Sequence, residues 1–291
     1  MPELPEVQAL VTDLDTRLTG RVVQKLDVTS FAALKTYDPP LTALEGATIT
    51  GIARHGKHLD ITTTAVDGSE LHLITHLARA GWLRWRPNAP TPGAGRGKGP
   101  LAARLVMDDG SGFDLTEYGT KKGLAVWVVR DPQDVPGIAR LGPDPLEPSF
   151  TETVLAGILS RSGRAQIKGV LRSQSTIAGI GNAYSDEILH VAKMSPFKPA
   201  SMTPDEVHVL YDAMQSTLRD AIARADGVSA SELKAEKKSG LRVHGRTGEA
   251  CPVCGDTIRQ VIYADSTFQY CPTCQTGGKP LADRVLSRLL K

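Results

Sequence analysis

The chain has 291 residues, 41% of them hydrophobic, with 34 Lys and Arg against 32 Asp and Glu for a formal net charge of +2. That apolar content can bury a sizeable core, and the length calls for more than one domain. So small a charge excludes reading the chain as a nucleic-acid binder on charge alone; with neither a signal-peptide pattern nor an apolar span in view, the expectation is a cytoplasmic protein without a membrane partner.

The amino terminus reads Met1-Pro-Glu-Leu-Pro-Glu-Val7. A starting methionine before a small residue such as proline is normally trimmed, which would leave Pro2 as the terminal residue with a free secondary amine. An α-amino group titrates near ~8, so much of it is unprotonated and nucleophilic at neutral pH. Attack on a sugar carbon followed by collapse to an iminium supplies an electron sink for later carbon–oxygen cleavage. Glu3 and Glu6 set carboxyl groups beside it, able to pass protons to and from the sugar. The plainer alternative is a capped helix start with Pro5 in its first turn. Residues 6–18 place Val7, Leu10, Val11, Leu14 and Leu18 on one helical face, closed by Gly20.

From there to about residue 130 the pattern is strands and turns. Val22, Leu26 and Val28 share one face, and Leu71, Leu73, Thr75 and Leu77 another; Asp108–Gly112 reads as a hairpin turn, and Leu124, Val126 and Val128 alternate. One leading helix and a run of strands point to a β-sandwich or barrel-like domain over residues 1–130. Residues 87–100, rich in Gly and Pro, read as a mobile loop, and residues 131–148, with five prolines, as an interdomain linker.

Residues 149–240 turn helical. Thr203-Pro-Asp-Glu206 is a capping box with proline at the first helical position, opening a helix towards Ala225. Gly179 and Gly181 lie between two helical stretches that meet at Asn182, read as an N-cap. Backbone N–H groups at such a helix start suit a phosphate, and a plain helix–helix turn is the alternative. Cys251-Pro-Val-Cys254 and Cys271-Pro-Thr-Cys274 hold the only four cysteines. Two knuckles at this spacing give four thiolates for one structural, tetrahedral Zn²⁺; a pair of disulfides would need an oxidising compartment. Between the knuckles Ile258, Val261, Ile262, Tyr263, Thr267 and Phe268 read as two short strands around a turn, a zinc-stapled hairpin within residues 241–275. The basic excess lies here, with ten Lys and Arg against six Asp and Glu over residues 232–291. Residues 276–291 extend the chain, and Leu281, Val285, Leu286, Leu289 and Leu290 give this tail an apolar helical face fit to dock on its own domain or on a protein partner.

Taken together, these motifs resemble the formamidopyrimidine-DNA glycosylase / endonuclease VIII (Fpg/Nei) family of base-excision enzymes. The resemblance covers essentially the whole chain and rests on Met1–Val7, Arg54-His-Gly-Lys57, Thr75-His-Leu77 with Gly81, Leu141–Leu146, Ile167-Lys168, Ala178–Leu189, Val243-His-Gly-Arg246 and the cysteine array ending in Gln275. It implies an α+β multidomain protein: an amino-terminal β-sandwich, a helix–two-turn–helix domain and a zinc finger, acting as a monomer on damaged DNA. Carried over by position, Pro2 would be the Schiff-base nucleophile, Glu3 the proton-transfer residue and Glu6 its orienting partner. Lys57 would hold a phosphate and assist elimination. Asn182 would bind phosphate with the zinc hairpin, Arg164 and Lys168 would lie near the DNA, and His76 is a further phosphate contact or a structural histidine.

The chain also departs from that pattern. Arg79 stands where the family carries an intercalating methionine, and Lys121 and Lys122 stand where an Arg-Phe pair fills the gap and reads the opposite base. An apolar wedge fills the hole left by a flipped base better than a charge does. The arginine expected in the zinc hairpin is missing from the segment around Asp265, and the stretch between Gly227 and Val243, which closes over the purine in 8-oxoguanine-specific relatives, is short. These departures imply a substrate range unlike that of the 8-oxoguanine enzymes, or, as the alternative, a DNA-binding zinc protein of the same fold whose excision activity is weak or lost.

Overall fold

The computed structural model describes residues 1–90, 99–263 and 266–281. The remainder of the Gly/Pro-rich loop, Asp265 and the tail beyond Leu281 lie outside the described residues. Two compact units emerge, one formed by residues 1–140 with 225–236 and the other by residues 141–224 with the chain from Lys237 onward.

The first unit opens with α1 (Leu4–Leu18), whose Val7, Leu10, Leu14 and Leu18 are buried and whose exit is turned by Gly20 at φ +84°. Eight strands follow: β1 (Val23–Val28), β2 (Thr48–His55), β3 (His58–Thr64), β4 (Glu70–His76), β5 (Gly81–Arg86), β6 (Leu101–Met107), β7 (Gly112–Glu117) and β8 (Ala125–Val129). They form two antiparallel four-stranded sheets, ordered β1-β6-β7-β5 and β2-β3-β4-β8. Period-two alternation sends Leu83, Leu105, Phe113 and Leu115 from one sheet, and Leu59, Ile61, Leu71, Leu73, Val126 and Val128 from the other, into one core with α1. The β6–β7 hairpin turns where Asp108–Gly112 predicts it, with Asp109 Oδ1 accepting from the N–H and hydroxyl of Ser111 at 2.9 and 2.6 Å.

One strand departs from its expected phase. In β1 the deeply buried residues are Val23 and Leu26, not Val22, because the register against β6 shifts between Val23 and Lys25. A bulge adds one residue to one strand, and every side chain beyond it changes face. The proline-rich stretch 131–148 is also not uniform: Val135 and Ile138 are buried, and the boundary between the units falls after Arg140. Ala225, Ala230 and Leu233 likewise belong to the first unit's core, although composition groups them with the helical segment.

The second unit contains α2 (Glu152–Ser162), α3 (Ile167–Arg172), α4 (Asn182–Val191) and most of α5 (Pro204–Ala225). The capping box at the start of α5 forms as predicted, Thr203 N–H donating to Glu206 Oε2 at 3.0 Å and Glu206 N–H to Thr203 Oγ1 at 3.4 Å. Next come α6 (Leu233–Gly240), which spans the change of unit, the hairpin β9 (Arg259–Tyr263) and β10 (Ser266–Tyr270), and α7 (Pro272–Thr276). No helix among the described residues is long and apolar enough to cross a membrane.

Candidate active site and metal centre

Pro2 is buried immediately before α1, and the first helical turn supplies both carboxylates of the candidate site. Glu3 is the N-cap, and a reciprocal capping box joins it to Glu6, with the Glu3 N–H donating to Glu6 Oε2 at 2.7 Å. Glu3 and Glu6 are 2% and 1% exposed, so this turn is a desolvated pair of carboxyl groups held at the positive end of a helix dipole. The helix-start and acid–base readings of the motif are therefore one structure: the cap orients the acids.

Lys57 sits in the turn between β2 and β3, entered through Gly56 at φ +58°, and its side chain is largely buried. Arg54 fastens that turn to α1, donating from Nε to Gln8 Oε1 at 3.0 Å and from Nη1 to the Gly56 carbonyl at 3.1 Å. Sequence reading placed Arg54 in a motif without giving it a role; the two bonds make it the brace between the helix of Glu3 and Glu6 and the turn of Lys57.

His76, at the end of β4, stacks on His58 with ring centroids 4.7 Å apart. Burial, then the neighbouring His58 and the charge of Lys57, hold His76 down to about 4, and burial first of all holds His58 to about 4 as well. At neutral pH His76 is thus a neutral ring rather than a cation. Close by in the same sheet, Asp60 accepts from His55 Nε2 at 2.9 Å and His72 Nδ1 at 3.0 Å. Burial opposes ionisation of Asp60, but those two hydrogen bonds outweigh it and its carboxyl lies below the usual range; the bond to Asp60 in turn raises His72.

The three cations that depart from the family pattern, Arg79, Lys121 and Lys122, are on the surface of this unit. Arg79 is exposed in a tight turn where Ala78 has φ +51° and Gly81 N–H donates to the Leu77 carbonyl at 2.9 Å. A Cβ on Gly81 would meet that carbonyl oxygen at 2.1 Å, so the turn demands glycine there. Lys121 and Lys122 are exposed, with Lys122 Nζ donating to the Glu117 carbonyl oxygen. The buried Glu117 carboxylate accepts from Gly123 and Leu124 N–H at 2.8 and 3.1 Å and shapes the loop that presents both lysines.

In the second unit the structure corrects two expectations. Lys168 is 5% exposed, and its ammonium donates to Asp186 Oδ1 at 2.5 Å, Ser185 Oγ at 2.7 Å and the Asn182 carbonyl at 3.2 Å. A buried ammonium must be paired, and this one is consumed inside the fold rather than offered to DNA. Asn182 is the first residue of α4, not its N-cap, which is Gly181. The Asn182 side chain donates from Nδ2 to the Thr267 carbonyl at 2.6 Å, tying the start of α4 to β10. Arg164, ahead of α3, is exposed.

All four cysteine Sγ atoms lie within 4.8 Å of one another, with Cys251–Cys274 at 3.9 Å and Cys254–Cys271 at 3.4 Å. The edge of a tetrahedron built on Zn–S bonds of about 2.3 Å is roughly 3.8 Å, so the donor set fits that ion and the sulfurs are not disulfide-bonded. Burial, together with the sulfurs of Cys254 and Cys251, pushes the Cys271 thiol up to about 11, as expected for clustered sulfurs that need a cation to ionise together. The knuckles are anchored: Gln275 accepts from Cys271 N–H at 2.9 Å and donates to the Met194 carbonyl at 2.9 Å. The Glu187 carboxylate of α4 takes the N–H groups of Arg242, Val243 and His244 at 2.7 to 2.9 Å.

Comparison with known proteins agrees with this geometry. Residues 1–118 match the formamidopyrimidine-DNA glycosylase N-terminal domain model, and residues 141–232 match the formamidopyrimidine-DNA glycosylase H2TH domain model. A formamidopyrimidine-DNA glycosylase-like protein of Mycobacterium tuberculosis is 59% identical over 52% of this chain and 94% of its own length. The formamidopyrimidine-DNA glycosylase of Symbiobacterium thermophilum is 35% identical over 94% of this chain and 89% of its own. Among solved structures, the Lactococcus lactis Fpg complex with abasic-site DNA superposes with a TM-score of 0.80 at 28% identity, covering 94% of this chain and 99% of that one. The complex of the same bacterium's Fpg with FAPY-dG DNA gives 0.80 at 28% identity, covering 94% and 100%. With both domain models matched in order and relatives alike along nearly the whole length, this chain belongs to the formamidopyrimidine-DNA glycosylase family.

Proposed function

We propose that the chain excises damaged bases from DNA and cleaves the resulting abasic site, with the secondary amine of Pro2 as nucleophile. The observation that carries this reading is the buried Pro2 set directly before a helical turn in which Glu3 and Glu6 are locked by the capping box. The Pro2 nitrogen attacks C1′ of a flipped nucleotide, the base leaves with the glycosidic electrons and a proton, and proton transfer through Glu3 opens the sugar to an iminium. That iminium acidifies C2′, and β-elimination expels the 3′ phosphate. Lys57 holds the phosphate beside the lesion, and Arg54 holds Lys57's turn against the helix of the acids.

DNA is the partner of this reaction, and the protein acts as a monomer in the cytoplasm, where four cysteine thiolates keep one structural zinc and no disulfide forms. Four sulfur ligands leave no open position for catalytic water, so the zinc supplies folding energy to the hairpin and no chemistry at the sugar. The Leu281 N–H donates to the Tyr270 hydroxyl at 2.8 Å, and its side chain packs against the cluster of Val261, Phe268 and Tyr270, so the tail begins on its own domain. Beyond Leu281 the tail is a candidate docking segment for a protein partner.

Borohydride trapping on abasic oligonucleotides tests the chemistry. Wild-type protein with Met1 removed, verified by intact mass, is expected to trap covalently, and Pro2→Gly to lose most of the adduct. Undiminished trapping by Pro2→Gly would move the iminium to a lysine and overturn the assignment.

A further inference from the structure

We infer that His190 is an outer-sphere partner of the metal centre, donating its Nε2–H to the Cys251 thiolate. The inference rests on the zinc reading above and concerns a residue that the motif pattern does not single out. His190 lies in the last turn of α4, 3% exposed, with Nε2 at 3.3 Å from Cys251 Sγ. Its other ring nitrogen, Nδ1, is buried with no hydrogen-bond partner among the described residues.

A neutral imidazole carries one donor and one acceptor, and which nitrogen holds the proton follows from what each faces. A metal-bound thiolate only accepts. The proton therefore sits on Nε2, because a bare Nε2 would press its lone pair against the sulfur's charge. That choice strands Nδ1 as a buried acceptor, which is costly. An apolar ring would fill the space without that cost, so the histidine is explained by its donor and not by its volume.

Two of the other sulfurs have backbone donors: Cys254 accepts from the Asp256 N–H, and Cys271 from the Cys274 N–H. For Cys251 the donor at hand is the His190 ring. Hydrogen bonds of this kind draw charge from sulfur, fix the ligand's orientation and make the thiolate a poorer target for protons and electrophiles. They also tie the metal to the fold. At its start α4 holds β10 through Asn182 and Thr267, and at its end it holds the first knuckle through His190, so one helix spans from the candidate phosphate site to the zinc.

The test begins with zinc content of the purified full chain; absence of zinc would sink the metal reading itself and leave the His190 assignment without a subject. In zinc-loaded wild-type protein, long-range ¹H–¹⁵N spectra of the histidines, with His190 assigned by its loss in His190→Gln, should show the Nε2–H tautomer. An Nδ1–H tautomer overturns the proposal without recourse to any variant's folding. His190→Phe, which keeps the bulk and removes the donor, should release zinc to a chelator at least about 10-fold faster. In the cobalt-substituted protein its sulfur-to-metal charge-transfer band should move to lower energy, with His190→Gln restoring part of both effects. A folded His190→Phe with wild-type release rate and band position would reduce His190 to packing and overturn the inference while leaving the zinc in place.

Discussion

At the scale of single residues, the candidate site works by desolvation. Glu3, Glu6, Lys57 and His58 are all nearly excluded from solvent, and each is held by a named neighbour or by its place in a turn. Neutral His76 and His58 beside Lys57 concentrate positive charge at the lysine, where a phosphate would meet it. The Asp60–His72 pair is different, because each partner favours the other's charged form and the effect depends on pH. Asp60 is lowered in the folded state, so its contribution is present above the ordinary value of 3.8 and lost as pH falls through the folded one. His72 is raised, so its contribution is fully present below its ordinary 6.5 and lost as pH rises through the folded value. Asp60→Asn should therefore cost more stability at about pH 6 than at about pH 9, by thermal unfolding at both. An equal loss at the two pH values would show that the pair contributes as neutral hydrogen bonds only.

Elements decide which cations reach the surface. Lys168 on α3 and Arg164 just before it are near neighbours in sequence, yet one is buried against Asp186 of α4 and the other is exposed. Removing one partner of a buried ion pair leaves an uncompensated charge, so Lys168→Met is expected to cost about 3–5 kcal/mol in urea unfolding. Arg164→Ala should leave stability within about 0.5 kcal/mol, while weakening DNA binding and lowering the salt slope by about 1. Near-normal stability of Lys168→Met together with a reduced salt slope would return Lys168 to the DNA surface. The zinc hairpin belongs to this scale too. The segment from Tyr263 to Tyr270 contains no arginine, so activation of the second phosphate is expected to be poor. On abasic DNA, β-elimination products should outweigh β,δ products on a sequencing gel; dominant δ product would mean that another cation, such as Arg79 or Lys122, has taken that role.

For the whole molecule, three separate stretches bear on one property, the DNA it accepts. Arg79 and the lysines 121 and 122 are exposed and charged, at positions where the resemblance to the family implies an apolar wedge and a base reader. The stretch between Gly227 and Val243, which the resemblance implies to be a shortened counterpart of a purine-closing loop, is committed in part, through Leu233, to the first unit's core. Flipping a base costs a few kcal/mol in a stable duplex and least in unpaired or single-stranded DNA. Phosphate attraction by lysine and arginine ignores both sequence and opposite base. Excision of 8-oxoguanine opposite cytosine is therefore expected to be slow, and abasic or oxidised sites in single-stranded or unpaired DNA to be processed faster. Single-turnover rates on matched duplex and single-stranded oligonucleotides measure this directly, and a clear preference for the duplex 8-oxoguanine pair would refute it.

Much of this protein was legible before any coordinates. The helix start at the amino terminus, the α5 capping box, the knuckle spacing and the alternation in β4 and β8 all follow rules that act within a few residues along the chain, and the structure reproduces them. What tertiary structure alone decided lies between residues far apart in sequence. The bulge that rephases β1 exists only against β6. Asn182 meets Thr267 across 85 positions and His190 meets Cys251 across 61. Lys168 reads as a DNA-facing cation because its type and motif say so, and it is an internal one because Asp186 is buried beside it. Local sequence sets which conformations and charges are available, whereas burial, which makes a lysine either a DNA grip or an internal brace, depends on neighbours that only the closed fold supplies.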